Sequence, residues 1–122
     1  MEKIQTKFID IHENEEFVEI CINDGVSGLK QMSIIKIFNE KIEIKNYLIG
    51  ETYFRSNGDL DAKLKTEEFI ISRNDIQKID ISKDIFNKLN ISLYCTKEQV
   101  NLVSIPFDDK ISFVFNLLLN FK

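Results

Sequence analysis

Apolar and polar residues alternate with a period of two along most of the chain. The clearest case lies between residues 17 and 22, where Val18, Ile20 and Ile22 interleave with Glu19 and Cys21. Successive side chains of a strand point to opposite faces, so this alternation predicts a β-strand. Comparable runs predict further strands at residues 31–38, 42–48, 69–72, 76–81, 89–95 and 100–105. Residues 84–88 fit either a helical turn or a loop.

Turn residues separate several of these runs. The strongest local signal is Asn57-Gly58, with alternating residues on both sides. Asn-Gly favours a two-residue type I′ turn, whose twist matches that of the flanking strands, so we expect a β-hairpin there. Asn23-Asp24-Gly25 and Asn39-Glu40 predict two further turns.

The last segment follows a different pattern. Pro106 ends the strand pattern because it cannot donate a hydrogen bond to a ladder, and Asp108 is a candidate N-cap. Beyond it, apolar residues recur at helical spacing, which predicts a helix over about 108–121: Ile111, Val114, Phe115, Leu118 and Phe121. Phe113 and Leu117 widen this stripe, and a buried strand is the alternative.

These elements predict a mainly β (α+β) fold in a single domain, residues 1–122. We expect an antiparallel β roll or partly open barrel of about 7–10 short strands with one C-terminal helix. Several strands followed by one apolar helix resemble the element order of pleckstrin-homology-like domains, where the helix plugs one end of a strongly bent sheet. The basic phosphoinositide-binding loop of their lipid-binding members is not evident in this sequence.

Charge is distributed unevenly. The formal net charge is −4, which disfavours phosphate-backbone binding, and we therefore expect no nucleic-acid partner. Residues 1–28, the acidic N-terminal hairpin region, contain seven acidic residues and two lysines, so the rest of the chain is close to neutral. Such an asymmetry is typical of a surface that docks a basic partner, and equally of a solvated outer face of a hairpin.

No targeting segment or membrane span is predicted. Residues 1–10 carry charges throughout, and the apolar run 111–121 is far shorter than the ~20 residues that a membrane span needs. We expect a cytoplasmic protein of bacterial type. Cys21 and Cys95 lie inside apolar alternating runs, where cysteines usually behave as small buried side chains, and a disulfide between them requires neighbouring strands.

Candidate chemistry is sparse. His12, the one histidine, precedes Glu13, Asn14, Glu15 and Glu16 in a predicted exposed hairpin tip. Histidine and cysteine together number three, too few for a typical structural zinc site, so we expect no metal and no cofactor. The Gly25 to Gly28 loop lacks the spacing and lysine of a phosphate-binding loop. Two acidic pairs, Asp59 with Asp61 and Glu67 with Glu68, are the candidates for carboxylate catalysis.

The sequence therefore predicts a non-catalytic protein-interaction module. An inhibitor or immunity-type protein that docks a basic partner through an acidic face fits best, as a monomer or an edge-strand homodimer. The predicted docking residues are acidic or aromatic: Glu13, Glu15, Glu16, Glu19, Asp24, Tyr47 and Tyr53. A small-ligand or lipid-binding β-barrel domain is the first alternative, and a carboxylate-based enzyme is the second.

Overall fold

A computed structural model describes residues 3–5 (backbone only), 9–23, 31–83, 85, 88–104 and 110–121. It contains nine strands, one short 3-10 helix at Arg73–Asp75 and one α-helix, α1, at Ile111–Phe121. The strands are β1 Lys3–Gln5, β2 Ile9–Glu13, β3 Val18–Asn23, β4 Met32–Ile37, β5 Lys41–Phe54, β6 Leu60–Ser72, β7 Ile76–Lys83, β8 Leu89–Cys95 and β9 Gln99–Asn101.

The first six strands form one antiparallel sheet in simple sequence order, and the last three form a second sheet. β5 and β6 are much longer than their neighbours, with 14 and 13 residues. β4 pairs with β5 only as far as Tyr47, so the distal half of the β5–β6 hairpin continues beyond the rest of the sheet. We call this two-stranded extension, residues 48–65, the arm.

The two sheets and α1 share one hydrophobic core that is rich in isoleucine. In β2 to β5 every second residue faces this core, and nearly all of these positions are Ile: Ile9, Ile11, Ile20, Ile22, Ile35, Ile42 and Ile44. β-branched side chains pack well on a pleated sheet, which explains why this alternation forms strands. The helix contributes Ile111, Val114, Leu118 and Phe121. The opposite face of the six-stranded sheet, which we call the outer face, lies away from this core.

Two buried polar side chains connect the sheets. The Ser33 hydroxyl on β4 donates to the Asn46 side-chain oxygen on β5 at 2.6 Å. The Asn46 amide donates to the carbonyl of Asn101 at 2.9 Å, and the backbone N–H of Val103 donates to the Ser33 hydroxyl at 2.9 Å. Buried polar groups are costly unless paired, and these three bonds pair them while tying the large sheet to the segment around β9.

The predicted mainly β, open-roll architecture is confirmed, since the six-stranded sheet is not closed into a barrel. The predicted helix is present and the strand alternative is wrong, because the apolar stripe at helical spacing is buried against the core. Strands followed by a terminal helix also match the order expected from the resemblance. Asp108, the predicted N-cap, lies outside the described residues.

Some local predictions need correction. The Asn57-Gly58 hairpin exists, but its loop has three residues, because the Arg55 N–H donates to the Asp59 carbonyl and the Gly58 N–H donates to the Arg55 carbonyl. Gly58, at φ 87°, takes the left-handed position that such loops require. β6 is one continuous strand, since no glycine or proline interrupts it, and β9 ends earlier than predicted, at Asn101.

Both cysteines are free thiols. Cys21 is on β3 of the first sheet and Cys95 is on β8 of the second. The strands are not neighbours, so the condition for a disulfide is not met. Partial burial raises the pKa of both thiols, and nearby carboxylates raise it further.

Candidate functional site

The β2–β3 turn carries three exposed carboxylates. Glu13 ends β2, and Glu15 and Glu16 lie in the turn itself. Over the part of the chain that the structure describes, the ion pairs are Lys41–Glu43, Lys45–Glu68 and Arg55–Asp61, and none involves these three glutamates. Their charges are exposed and are not neutralised by any described residue.

Asn14 fixes the shape of this turn. Its side-chain oxygen accepts hydrogen bonds from the backbone N–H groups of Glu16 and Phe17, both at 2.9 Å. The backbone N–H of Asn14 donates to the Phe17 carbonyl at 3.1 Å, which closes the turn a second time. Asparagine favours turns because its side chain can replace backbone hydrogen bonds in this way. The glutamates thus project from a defined loop.

An aromatic pair lies next to the turn. The ring centroids of Phe17 and Phe38 are 5.1 Å apart, and both side chains are half-buried. Lys36 lies over the Phe17 ring at 5.2 Å and Lys41 lies over the Phe38 ring at 5.1 Å. Lys41 also forms an ion pair with Glu43 at 2.9 Å. These contacts hold the two lysines beside the aromatic rings and not beside the glutamates of the β2–β3 turn.

Two shallow grooves open at this end of the sheet. One, of about 540 Å³, runs between the β2–β3 turn and the β4–β5 turn and is lined by Glu15, Glu16, Phe38, Asn39 and Lys41, among others. The other, of about 280 Å³, lies between the β2–β3 turn and the end of α1. We call the β2–β3 turn, Phe17, Phe38 and the β4–β5 turn (Asn39–Glu40) the acidic end. It combines exposed carboxylates with a concave surface and two aromatic rings.

The other predicted docking residues lie elsewhere. Glu19 and Tyr47 are on the outer face and line the same groove, of about 390 Å³. Tyr53 is on the arm, where its hydroxyl is 3.4 Å from the Asp61 carboxylate. Asp24 lies outside the described residues. The structure therefore groups Glu13, Glu15 and Glu16 and separates them from the two tyrosines.

The outer face has mixed charge. Across the strands, Glu19 stands opposite Lys36, which in turn stands opposite Glu43. Two residues further along β5, on the same face, Lys45 stands opposite Glu68 and forms an ion pair with it at 3.1 Å. The bond to Glu68, followed by contact with Tyr47, raises the pKa of Lys45. Opposite charges that already face each other across strands leave little net field for a charged partner.

The arm has two unlike faces. Its outer face carries apolar cross-strand pairs, with Phe54 opposite Leu60 and Ile49 opposite Leu64. The other face is mainly polar, although Leu48 lies on it opposite Lys65. The solvent-exposed fractions of Phe54 and Leu64 are 75% and 66%. On the polar face, Arg55 donates to Asp61 at 2.7 Å. The Ala62 N–H and then Arg55 lower the pKa of Asp61.

The catalytic candidates are not assembled into a site. His12 lies on β2 opposite Glu19, half-buried on the strand, so its predicted place at a hairpin tip is wrong. Asp59 accepts from Asn57 within the arm's loop, and Asp61 is held by Arg55. Glu67 and Glu68, being adjacent on β6, point to opposite faces, because successive side chains of a strand alternate.

The described residues contain neither a metal-binding cluster nor a helix able to span a membrane. No group of three or more His, Cys, Asp or Glu side chains within them could hold a metal ion. Over the same residues, no helix has the length and apolar character needed to cross a membrane.

Comparisons with known proteins give no match. Neither protein-family models, nor curated proteins, nor solved structures contain one that is similar to this chain at a significant level. Any function must therefore be argued from the geometry above.

Sequence reasoning missed the aromatic half of the acidic end. Phe17 and Phe38 are terminal residues of the predicted strands 17–22 and 31–38, and in the structure they lie just outside β3 and β4. Their position at a strand end was the available signal that their rings lie beside a turn. That the two rings are in contact depends on the β3–β4 register, which pairs Val18 with Ile37 and therefore places Phe17 beside Phe38. Alternation in the sequence does not by itself fix which residues of the two strands stand opposite each other.

Proposed function

We propose that this chain is a non-catalytic protein-interaction module that docks a basic protein at the acidic end. The observation that carries the proposal is a set of three exposed carboxylates that form no ion pair with any described residue, on a turn whose shape Asn14 fixes. Preorganised charge favours association because the loop does not have to be ordered on binding. An unpaired acidic patch also accelerates the encounter with a positive partner.

The aromatic pair supplies the contact area that charge alone lacks. Binding surfaces commonly combine a few aromatic side chains with a polar rim. Phe17 and Phe38 fit the first part and the glutamates of the turn fit the second. Lysine or arginine side chains of a partner would reach Glu15 and Glu16 along the groove that Phe38 also lines. An inhibitor or immunity-type role, in which acidic side chains cover the basic site of a toxin or nuclease, is consistent with this geometry.

The proposal is tested by capture from a lysate of the source cells with matched variants of the immobilised chain. E13Q/E15Q/E16Q removes three negative charges at the acidic end. E51Q/D59N/E98Q removes three negative charges at exposed positions elsewhere on the described surface. The two variants have the same formal net charge, so they separate a local site from the general charge of the molecule.

We expect one basic protein to be retained at low salt by the wild type and by E51Q/D59N/E98Q, and to be lost with E13Q/E15Q/E16Q. High salt should release it, since screening weakens exposed charge pairs. Retention of the same protein by all three forms would contradict docking at the acidic end. Equal loss from both variants would show that only net charge matters.

A small ligand on the outer face is the second candidate. The groove of about 390 Å³ there offers Lys36, Lys45 and Tyr47 to a ligand. Lys45 is already paired with Glu68, however, and Lys36 lies over Phe17. A ligand would have to displace these contacts, which makes this site weaker than the acidic end. The carboxylate-based enzyme has less support still, because Glu67 and Glu68 point to opposite faces and the Asp61 carboxylate is held by Arg55.

A further inference from the structure

One edge of β6 is long, and no other described strand pairs with it. β6 is the last strand of the six-stranded sheet and has 13 residues, and among the described residues its only strand partner is β5. No ladder hydrogen bond is therefore made on its other side within the described chain. Such an edge presents N–H and C=O groups that can pair with a further strand. It contains no proline or glycine that would disfavour this pairing.

The charge order along β6 is complementary to itself when reversed. Lys63 and Lys65 precede Thr66, and Glu67 and Glu68 follow it. Two copies of a strand that pair about a two-fold axis at Thr66 run antiparallel, so Lys65 of one copy meets Glu67 of the other. We infer that this chain forms a homodimer by antiparallel pairing of β6 with β6 of a second copy, with Thr66 on the two-fold axis.

The register follows from the charges. With Thr66 opposite itself, Lys65 of each copy stands opposite Glu67 of the other, which gives two opposite-charge pairs. A two-fold axis perpendicular to the sheet allows only residues on the same face to pair, so the neighbouring registers centre on Lys65 or on Glu67. Each of those places a charge directly against its own copy, which is destabilising. The Thr66–Thr66 pair at the axis is itself a favourable cross-strand pair.

The surroundings of β6 limit the pairing to its middle. A shallow groove between Ile70 and the β8–β9 turn at Thr96–Glu98 shows that this turn flanks the C-terminal end of the strand. Residues 64–68 lie before it; Glu67 is half-buried and the other four are exposed. Pairing there leaves the acidic end, at the opposite end of the β5–β6 hairpin from the arm, free in both copies. The inference is thus independent of the docking proposal.

Sedimentation equilibrium over a concentration series tests the dimer. The wild type should approach 28.6 kDa, twice the chain mass of 14.3 kDa. Lys65→Glu and Glu67→Lys should each raise the dimer dissociation constant by about tenfold or more, because two attractive pairs become repulsive. The double variant K65E/E67K should restore the wild-type value, since its charges face each other again. Lys83→Glu, an exposed position on β7, should leave the constant unchanged.

Net charge cannot mimic this pattern. K65E takes the formal net charge from −4 to −6, whereas E67K takes it to −2, so a general charge effect would move the two constants in opposite directions. A wild type that stays at 14.3 kDa at every concentration overturns the inference. So do single variants that dimerise like the wild type, or a double variant that is weaker than either single one.

Cross-linking gives a second readout that does not depend on charge. In a C21A/C95A background, Thr66→Cys places two thiols across the axis, where opposite Cα atoms of antiparallel strands are about 4.5–5.5 Å apart. This separation suits a disulfide. Mild oxidation should give a covalent dimer much faster than in the same background carrying Lys83→Cys. Equal rates for the two would overturn the register.

Discussion

Replacing Asn46 with alanine should destabilise the fold by about 2–4 kcal/mol. Asn46 is 1% exposed, and its amide both accepts from the Ser33 hydroxyl and donates to the Asn101 carbonyl. Its removal leaves one donor and one acceptor without partners, and each unsatisfied buried group costs about 1–3 kcal/mol. The Asn101 carbonyl is only partly buried, so the expected cost lies in the lower part of the range that two fully buried, unsatisfied groups would give.

This loss is large relative to the total free energy of unfolding of the domain. A domain of this size is stable by about 5–15 kcal/mol, so N46A should shift the denaturation midpoint clearly. Ser33→Ala should cost a similar amount, because it removes the acceptor of the Val103 N–H as well as the donor to Asn46. The double variant should cost less than the sum of the two, since both single changes break the same Ser33–Asn46 bond.

Urea denaturation followed by circular dichroism measures these changes. Asn39→Ala is the matched control, because Asn39 is exposed in the β4–β5 turn. It should lie within about 0.5 kcal/mol of the wild type. If N46A were as stable as N39A, the buried hydrogen bonds would not connect the sheets as described, and the reasoning would fail.

Three further predictions concern other parts of the chain. At pH 8, alkylation of Cys21 and Cys95 should be slower in the native protein than in the urea-unfolded protein. The native rate should increase as pH rises through the raised thiol pKa values. Mass spectrometry of iodoacetamide-treated protein measures both rates. Gly50→Ala should destabilise the arm by about 1–3 kcal/mol, because a Cβ there would lie 2.8 Å from the Lys63 carbonyl oxygen; faster amide exchange confined to the arm would report this. Asn14→Ala should cost about 1 kcal/mol in urea denaturation and speed exchange of the Glu16 and Phe17 amides, which lose their shared acceptor. Unchanged alkylation rates, arm exchange or turn exchange would contradict the respective prediction.

The sequence determines local structure here better than surface organisation. Strands such as β8, predicted and observed at 89–95, follow directly from alternation, and the α1 helix follows from its apolar spacing. The continuity of β6 was hidden because Thr66, Glu67 and Glu68 interrupt the apolar pattern without breaking the backbone.

The composition of the candidate site depends on register, which alternation alone does not fix. Glu15 and Glu16 are adjacent in sequence, so their grouping was predictable, whereas the Phe17–Phe38 contact requires the pairing of β3 with β4. For the same reason Asn46 resembled an ordinary polar residue of a half-buried strand. Its burial depends on the contact with β9, where the Asn101 carbonyl accepts a hydrogen bond from its amide.

The most direct test of docking at the acidic end is a chemical-shift map of the ¹⁵N-labelled chain titrated with the captured basic protein. The account predicts that the largest shifts fall on amides 13–17 and 38–41, around the two turns of the acidic end. Shifts confined to the outer face around Lys45, or to the arm around Phe54, would contradict it and would move the binding site to those surfaces.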